Sequence, residues 1–112
     1  MRRTFIAFVF CLLATNVLAD QTGNDLKDYC RLYPRKTEST LLCTAYISGS
    51  IDMARAVNRL LKGDLVCEPP GVTGDQLIAM TIKYLADNPA DLHLAAASLV
   101  LDMYTRAFPC KK

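Results

Sequence analysis

The chain has 112 residues, with 13 lysines and arginines against 11 aspartates and glutamates. Two of the basic residues lie in the first 19 residues, which hold no acidic residue, so residues 20–112 carry 11 charges of each sign. Without a surplus of positive charge, this part of the chain is not expected to bind nucleic acid or an anionic membrane surface.

The first 19 residues have the pattern of a secretory signal peptide. Two arginines give a basic start, an apolar run covers residues 5–14, and Val17-Leu18-Ala19 places a small residue where signal peptidase would cut. The apolar run is shorter than the ~20 residues that span a bilayer, so an uncleaved membrane anchor is the less favoured alternative. We therefore expect cleavage after Ala19, export to the periplasm and no stable membrane insertion. The remaining residues, 20–112, are expected to form one domain.

Two helices are predicted in the first half of this domain. A short helix covers Asn24 to Leu32 and ends at Tyr33-Pro34, because the residue before a proline avoids the helical region. A long helix runs from about Glu38 to Lys62, and Gly63 is placed to stop it in a left-handed cap.

The long helix is predicted to have Thr37 or Ser39 as its N-cap. Gly49 lies in its middle, where a glycine costs ~1 kcal/mol relative to alanine. We expect Gly49 either to permit a kink or to let another helix approach closely. Large apolar residues recur at helical spacing and predict this helix, with Ala45, Ala54 and Ala56 between them. The large residues are Leu42, Tyr46, Met53, Val57, Leu60 and Leu61.

The third helix is predicted after a loop, Leu65 to Gly71, whose prolines cannot continue a helix. Thr73 and Gln76 have the spacing of a capping box, so the helix should begin there and end near Asp87.

The fourth helix is predicted to follow almost at once and to run to about Ala107. Asn88 is its expected N-cap, and Pro89 is its expected first residue, where the missing N–H costs nothing. Its apolar stripe advances in steps of three and four residues, apart from the adjacent Leu99 and Val100. The stripe consists of Leu92, Ala96, Leu99, Val100, Met103 and Ala107.

Four cysteines follow residue 19, and an even number in an exported domain predicts two disulfides. Their spacings of 13, 24 and 43 residues contain no close ligand pair, which disfavours zinc. A short helical hairpin brings Cys30 to Cys43, and parallel second and fourth helices bring Cys67 to Cys110. Cys43 and Cys67 would lie ~30 Å apart along a helix, too far for a bond that needs Cα atoms within ~7 Å. The predicted fold is all-α, a small disulfide-stapled bundle of about four helices.

No catalytic residue, metal site or cofactor is predicted. His93 is the one histidine and is expected at the surface in the first turn of the fourth helix. The serines have no second histidine to act as a base, and no glycine-rich phosphate loop is present. Tyr29, Tyr33 and Tyr104 are candidates for partly exposed interface residues, although a core position is the favoured interpretation of each. These features favour a binding protein over an enzyme.

Three segments of the chain form a recognisable set: Cys43-Thr44-Ala45-Tyr46-Ile47-Ser48-Gly49, the run from Cys67 to Leu77 that begins Cys-Glu-Pro-Pro-Gly, and Phe108-Pro109-Cys110 preceded by Tyr84-Leu85 and Asn88-Pro89. In order and spacing, across residues 26–110, they resemble the Rap/Tai family of immunity proteins against type VI secretion amidase toxins. The resemblance implies that residues 20–112 are a helical, periplasmic immunity-type domain, often a homodimer. It implies a protein partner, a peptidoglycan amidase whose active site the domain blocks.

Two helix junctions are candidate toxin-binding surfaces, although caps and turns explain the residues of each equally well. The candidate residues are Glu68, Pro69 and Pro70 in the first junction and Asn88, Asp91 and His93 in the second.

Two other functions compete with toxin inhibition. The first is a small helical periplasmic chaperone of the HdeA type, although two disulfides argue against the unfolding in acid that such chaperones use. The second is a family member with an unrelated partner in the cell envelope.

Overall fold

The structure, a computed structural model, describes residues 20–111, so the predicted signal peptide at 1–19 lies outside the described residues. The elements in chain order are α1 (Gly23–Cys30), α2 (Glu38–Leu60), α3 (Gly74–Asp87), a 3-10 helix (Pro89–Asp91) and α4 (Ala96–Ala107). Between residues 20 and 111 there is no β-strand, only an isolated bridge between Thr22 and Ala95. The predicted all-α fold is confirmed.

Side-chain caps determine where α2 and α3 begin, since the first backbone donors of a helix have no partner within it. The Thr73 hydroxyl accepts from the backbone N–H of Gln76, and the Gln76 side chain accepts from the backbone N–H of Thr73. This completes the predicted capping box. The Thr37 hydroxyl accepts from the backbone N–H of Thr40 at 3.2 Å, so the N-cap of α2 is Thr37 and not Ser39.

The ends of α1 and α2 differ slightly from the predicted ones. α1 begins one residue early because Thr22 and Asp25 form a capping box with aspartate in the place usually taken by glutamate or glutamine. α2 ends at Leu60, two residues before the predicted end. Lys62 and Gly63 both have left-handed backbones, with φ of 58° and 83°, and end the helix as the glycine predicts.

The fourth helix starts later than predicted. Pro89–Asp91 forms only a short 3-10 helix, and the Asn88 side chain makes no capping bond to it. The α-helix begins at Ala96. His93 therefore lies in the turn before α4 and not in its first turn, with Nδ1 3.0 Å from the carbonyl oxygen of Ala90.

The first residues of the domain explain this interruption. The backbone N–H of Ala96 donates to the carbonyl of Gln21 at 2.7 Å, and the carbonyl of Leu94 accepts from the N–H of Gly23 at 2.9 Å. A continuous helix would use the same groups for its own i to i−4 bonds. A contact between distant parts of the sequence thus replaces the predicted helical turns, and no local pattern indicates it.

One core joins the four helices. The predicted stripe of the fourth helix is buried at five of its six positions, and Ala107 is exposed. The buried apolar residues are Leu26, Cys30, Cys43, Ile47, Ile51, Ala54, Val66, Leu77, Ile78, Leu85, Leu92, Ala96, Leu99, Val100, Met103 and Tyr104.

Most of the large apolar residues whose spacing predicts α2 lie outside the core, because the helix buries another side. Met53 is 66% exposed and Leu60 is 82% exposed, and Leu42, Val57 and Leu61 are also exposed. Only Tyr46 among the predicted residues is half-buried. α2 carries apolar residues on two faces, and the sequence pattern alone does not show which one meets the other helices. The residues that α2 buries are Thr40, Cys43, Ile47, Ile51 and Ala54.

The two disulfides join Cys30 to Cys43 and Cys67 to Cys110, as the topology predicts. The first lies in the core and closes the hairpin of α1 and α2. The second lies near the surface and ties the loop after α2 to the tail after α4. The first bond thus holds the start of α2, and the second holds the loop that follows its end.

Gly23 is the point of closest packing among the glycines. A Cβ built there would lie 2.5 Å from Leu99 Cδ1 and 3.0 Å from the Cα and carbonyl oxygen of Leu92. Gly23→Ala should therefore lower the free energy of unfolding by about 1–3 kcal/mol, measured by urea denaturation of residues 20–112. Gly74→Ala is the matched control, since nothing lies within 4 Å of a Cβ there. Equal stability of the two variants would contradict the close packing.

Candidate partner-binding surfaces

Between residues 20 and 111, no group of three or more His, Cys, Asp or Glu side chains is arranged to hold a metal ion. In the same part of the chain, no helix combines the length and the apolar character that a membrane-spanning segment needs. The features that stand out are an apolar groove and two helix junctions.

The exposed face of α2 forms one wall of an apolar groove whose other wall comes from α4. The groove has a volume of about 500 Å³. Exposed apolar surface of this kind is typical of an interaction site. We call it the α2–α4 groove. Its lining residues are Ala45, Tyr46, Gly49, Ser50, Met53, Ala54, Val57, Leu65, Ala97 and Leu101.

Gly49 lies in the middle of this groove, and no contact within the described chain requires it. α2 is continuous through Gly49, and a Cβ built there would have nothing within 4 Å. The close approach of another helix, one of the two explanations that the sequence offers, therefore does not occur within residues 20–111. An exposed mid-helix glycine that costs ~1 kcal/mol is thus left without an intramolecular role.

The first junction, residues 67–73, is here called the proline loop, and it is held firmly at its base. The Asn58 side chain on α2 accepts from the backbone N–H groups of Leu65 at 2.9 Å and Val66 at 3.0 Å. The same side chain donates to the carbonyl of Val66 at 2.8 Å. The next residue, Cys67, forms the disulfide with Cys110. The chain therefore enters the loop in a fixed direction.

Glu68, a predicted partner-binding residue, is occupied within the chain. Arg55 Nη2 donates to Glu68 Oε1 at 2.8 Å, and Arg55 Nε donates to Oε2 at 3.1 Å. The Tyr104 hydroxyl also donates to Oε2. The Glu68 side chain is only 16% exposed. Its carboxylate is thus bound on both oxygens and has little surface for a partner.

These bonds change the acidity of all three groups. The Arg55 guanidinium holds the pKa of the Glu68 carboxyl below its ordinary value, with the Tyr104 hydroxyl contributing less. Burial, followed by the bond to this carboxylate, raises the pKa of Tyr104. The hydrogen bonds to Glu68 raise the pKa of Arg55. The network is therefore an anion held between two donors.

Pro69 and Pro70 form the exposed part of the proline loop. Proline fixes φ near −65°, and Gly71 has φ of 93°, which suits the second central position of a type II turn after a proline. Val72 is half-buried and packs against the core. The tip is a short, rigid turn between two anchored residues.

The second junction holds Asn88, Asp91 and His93, and its side chains are less free than expected. The Asn88 side chain donates to the carbonyl of Tyr84 at 2.8 Å. Asp91 is half-buried, and His93 is exposed. The 14 residues of α3 separate this junction from the proline loop by ~20 Å. The predicted residues of each junction therefore lie close to one another, but the two junctions form separate surfaces.

The residues that hold the proline loop carry no motif in the sequence. Arg55 and Asn58 are interior residues of a helix, 13 and 8 residues from the groups that they bind, and no local motif marks them. Tyr104 is only 1% exposed, which agrees with the favoured core interpretation, but no sequence pattern indicates its bond to Glu68. One feature of the sequence points to this network. Arg55 stands among apolar residues of a helix that precedes a loop beginning with glutamate and proline.

A disulfide-braced helical domain with an apolar groove and a rigid loop defines a protein-binding module. The model of the Rap1a immunity protein family matches residues 22–110, so the chain belongs to that family. No curated protein matches the chain. The match confirms the family that the sequence resembles and indicates an immunity protein for a type VI secretion effector. Proteins of this family are generally not catalytic.

The lowered pKa of Glu68 predicts how stability depends on pH. In the unfolded chain Glu68 takes up a proton near pH 4.5, whereas in the folded domain it does so only at lower pH. The unfolded state then binds more protons, so the free energy of unfolding should decrease as the pH falls below about 4.5.

The Glu68→Gln variant tests this pH dependence. Its free energy of unfolding should decrease less than that of the wild type between pH 7 and pH 3, measured by urea denaturation. Asp52→Asn removes an exposed carboxylate from the same arginine and controls for the lost charge. A Glu68→Gln variant with the wild-type pH dependence would contradict the assignment.

Proposed function

We propose that this chain is a periplasmic immunity protein that binds and inhibits a type VI secretion peptidoglycan amidase. The family match over residues 22–110 is the observation that carries the proposal. The pattern of a signal peptide in residues 1–19 supports export. An amidase that cleaves the cell wall acts in the periplasm, and an inhibitor has to meet it there.

The proline loop is the surface best suited to enter or cover an enzyme active site. Inhibition requires a complementary surface and no catalytic group of its own. The exposed Pro69 and Pro70 lie between the anchored Glu68 and Val72, so the tip has little conformational entropy to lose on binding. Asp91 and His93, at the other end of α3, form the second candidate surface.

Inhibition assays with purified proteins test this function. Residues 20–112 in the oxidised form should stoichiometrically inhibit at least one member of a panel of type VI secretion peptidoglycan amidases, including any encoded beside this gene, acting on purified peptidoglycan. A wild-type domain that neither binds nor inhibits any amidase of the panel would contradict the proposal.

Paired variants then identify the surface. Pro69→Ala combined with Pro70→Ala should raise the inhibition constant about tenfold or more, because it frees the tip and removes its contact area. Asp91→Ala combined with His93→Ala is the matched pair at the second junction and should leave inhibition nearly unchanged. If instead only the Asp91→Ala and His93→Ala pair weakens inhibition, the second junction is the binding surface.

An acid-activated chaperone is the alternative function, and the exposed apolar residues of the α2–α4 groove are the observation that favours it. Such a chaperone would prevent a client protein from aggregating after exposure to low pH and would inhibit no amidase. The aggregation assay and the amidase assay, run on the same preparation, separate the two functions.

We also propose that the α2–α4 groove is the contact between two copies of the chain. Leu42, Tyr46, Gly49, Met53 and Leu60 follow one another along α2 at spacings of four, three, four and seven residues, the pattern of a helix that packs on another helix. In a two-fold symmetric pair, the same residue of each copy meets at the axis. Gly49 at that axis would let the two helices approach closely, which gives the glycine the role that it lacks within the chain.

The Gly49→Leu variant tests this contact. Its added side chain should separate the two helices and raise the dimer dissociation constant about tenfold or more, measured by sedimentation over a range of concentrations. The monomer should keep its helical content, since leucine favours a helix more than glycine does. Ala79→Leu adds the same side chain at an exposed position of α3 outside the groove and should leave the dimer intact. A wild-type protein that is monomeric throughout, or a Gly49→Leu protein that remains dimeric, would contradict the contact.

A further inference from the structure

Three side chains from three different elements meet below the tip of the proline loop. Arg55 comes from α2, Glu68 from the loop itself and Tyr104 from α4. The Tyr104 ring also packs edge-to-face on Phe108, with ring centroids 5.8 Å apart, and the Phe108 carbonyl accepts from the N–H of Cys67 at 2.9 Å. The network therefore touches the loop at two successive residues.

Asn58 and the Cys67–Cys110 bond hold the base of the loop, but no hydrogen bond from residues 20–111 reaches its tip directly. Residues 69–72 make no hydrogen bond to the rest of residues 20–111, and the next polar anchor is the capping box at Thr73. On one side the tip depends on the packing of Val72 and on the other side on the fixed Glu68. The direction in which Pro69 leaves the core thus depends on where the Glu68 side chain is bound.

We propose that Arg55 and Tyr104 are positioning residues for partner binding, which hold the proline loop in one conformation through the Glu68 carboxylate. Glu68 then serves the loop and does not contact the partner. Tyr104 is 1% exposed, so its hydroxyl can act on binding only through the groups that it contacts, and the bond to Glu68 links it to the loop. This inference rests on the proposed function only in assigning the proline loop to toxin binding.

The charges support a positioning role. A carboxylate bound by a guanidinium fork has both its position and its orientation fixed, because two parallel bonds allow little rotation. Arg55 is fixed in turn, since its Nη1 donates to Asp52 at 3.2 Å, one turn earlier on α2. The second donor to Glu68, the Tyr104 hydroxyl, comes from another helix, so the carboxylate is held from two directions.

Tyr104→Phe is the sharpest test because it removes one oxygen atom from a buried site. Tyr84→Phe is its matched control. The Tyr84 hydroxyl on α3 donates to the carboxylate of Asp102 on α4, so this substitution removes the same kind of bond at another place. Both variants should lose a similar amount of stability in urea denaturation. Only Tyr104→Phe should lower the backbone order parameters of Gly71 and Val72 in nitrogen-15 relaxation, from the ~0.85 of rigid backbone towards 0.6. This measurement uses the free protein.

Binding to an amidase that the wild type inhibits provides the second readout. Tyr104→Phe should raise the dissociation constant about fivefold, and Tyr84→Phe should leave it unchanged. Arg55→Lys keeps the positive charge but loses the two parallel bonds to Glu68, so it should show both effects as well. It replaces Tyr104→Phe as the test variant if Tyr104→Phe does not fold.

Each outcome of these two readouts bears on the proposal. If Tyr104→Phe is less stable but keeps the loop order parameters of the wild type, the proposal is overturned. It is also overturned if the loop becomes mobile but the dissociation constant does not change. A mobile loop in Tyr104→Phe, together with a wild type that inhibits no amidase, would support the positioning of the loop and contradict the proposed function instead.

Discussion

α2 carries apolar side chains on two faces, and the other three helices cover only one of them. The covered face, which includes Ile47 and Ile51, supplies the centre of the core. Burying a side chain of this size contributes about 1.5–3 kcal/mol, so this face fixes how the shorter helices pack around α2. The other face keeps Met53 and Leu60 in solvent and becomes a wall of the α2–α4 groove. The exposed apolar surface is thus a consequence of having one long helix and three shorter ones.

A domain of this size has a small core and little stability to spare, which makes covalent bracing important. The Cys30–Cys43 and Cys67–Cys110 bonds close segments of 13 and 43 residues, and in the chain-entropy model they contribute about 3 and 4 kcal/mol. The second bond also fixes the base of the proline loop. Asn58 and Arg55 then direct the loop with hydrogen bonds from the same helix. Stability and the presentation of the loop therefore depend on shared contacts.

The sequence predicts those features that short-range chemistry controls. The cap at Thr37 and the box of Thr73 and Gln76 are local, and the starts of α2 and α3 follow from them. The disulfide pairing follows from the order and length of the helices. The start of α4 could not be predicted in this way, because the N–H of Ala96 donates to the carbonyl of the distant Gln21 and not to a carbonyl within the helix.

The candidate site shows the same division. The sequence places Glu68 in a rigid loop correctly, but a carboxylate in a loop looks available for a partner. Its two donors, Arg55 and Tyr104, lie 13 residues before it and 36 residues after it, and only the folded chain brings them together. The buried face of α2 cannot be predicted for a related reason, since a helix with two apolar faces has two equally regular patterns.

The geometry of α2 separates the two proposed interaction surfaces. Successive residues turn by 100° around a helix, so Arg55 lies about 200° from Met53, on the opposite side of α2. The groove therefore faces away from the side of the helix that holds Glu68. A second copy seated in the groove would leave the proline loop of each copy accessible. Contact between copies and binding of a toxin would then draw on opposite faces of one helix, with the core between them.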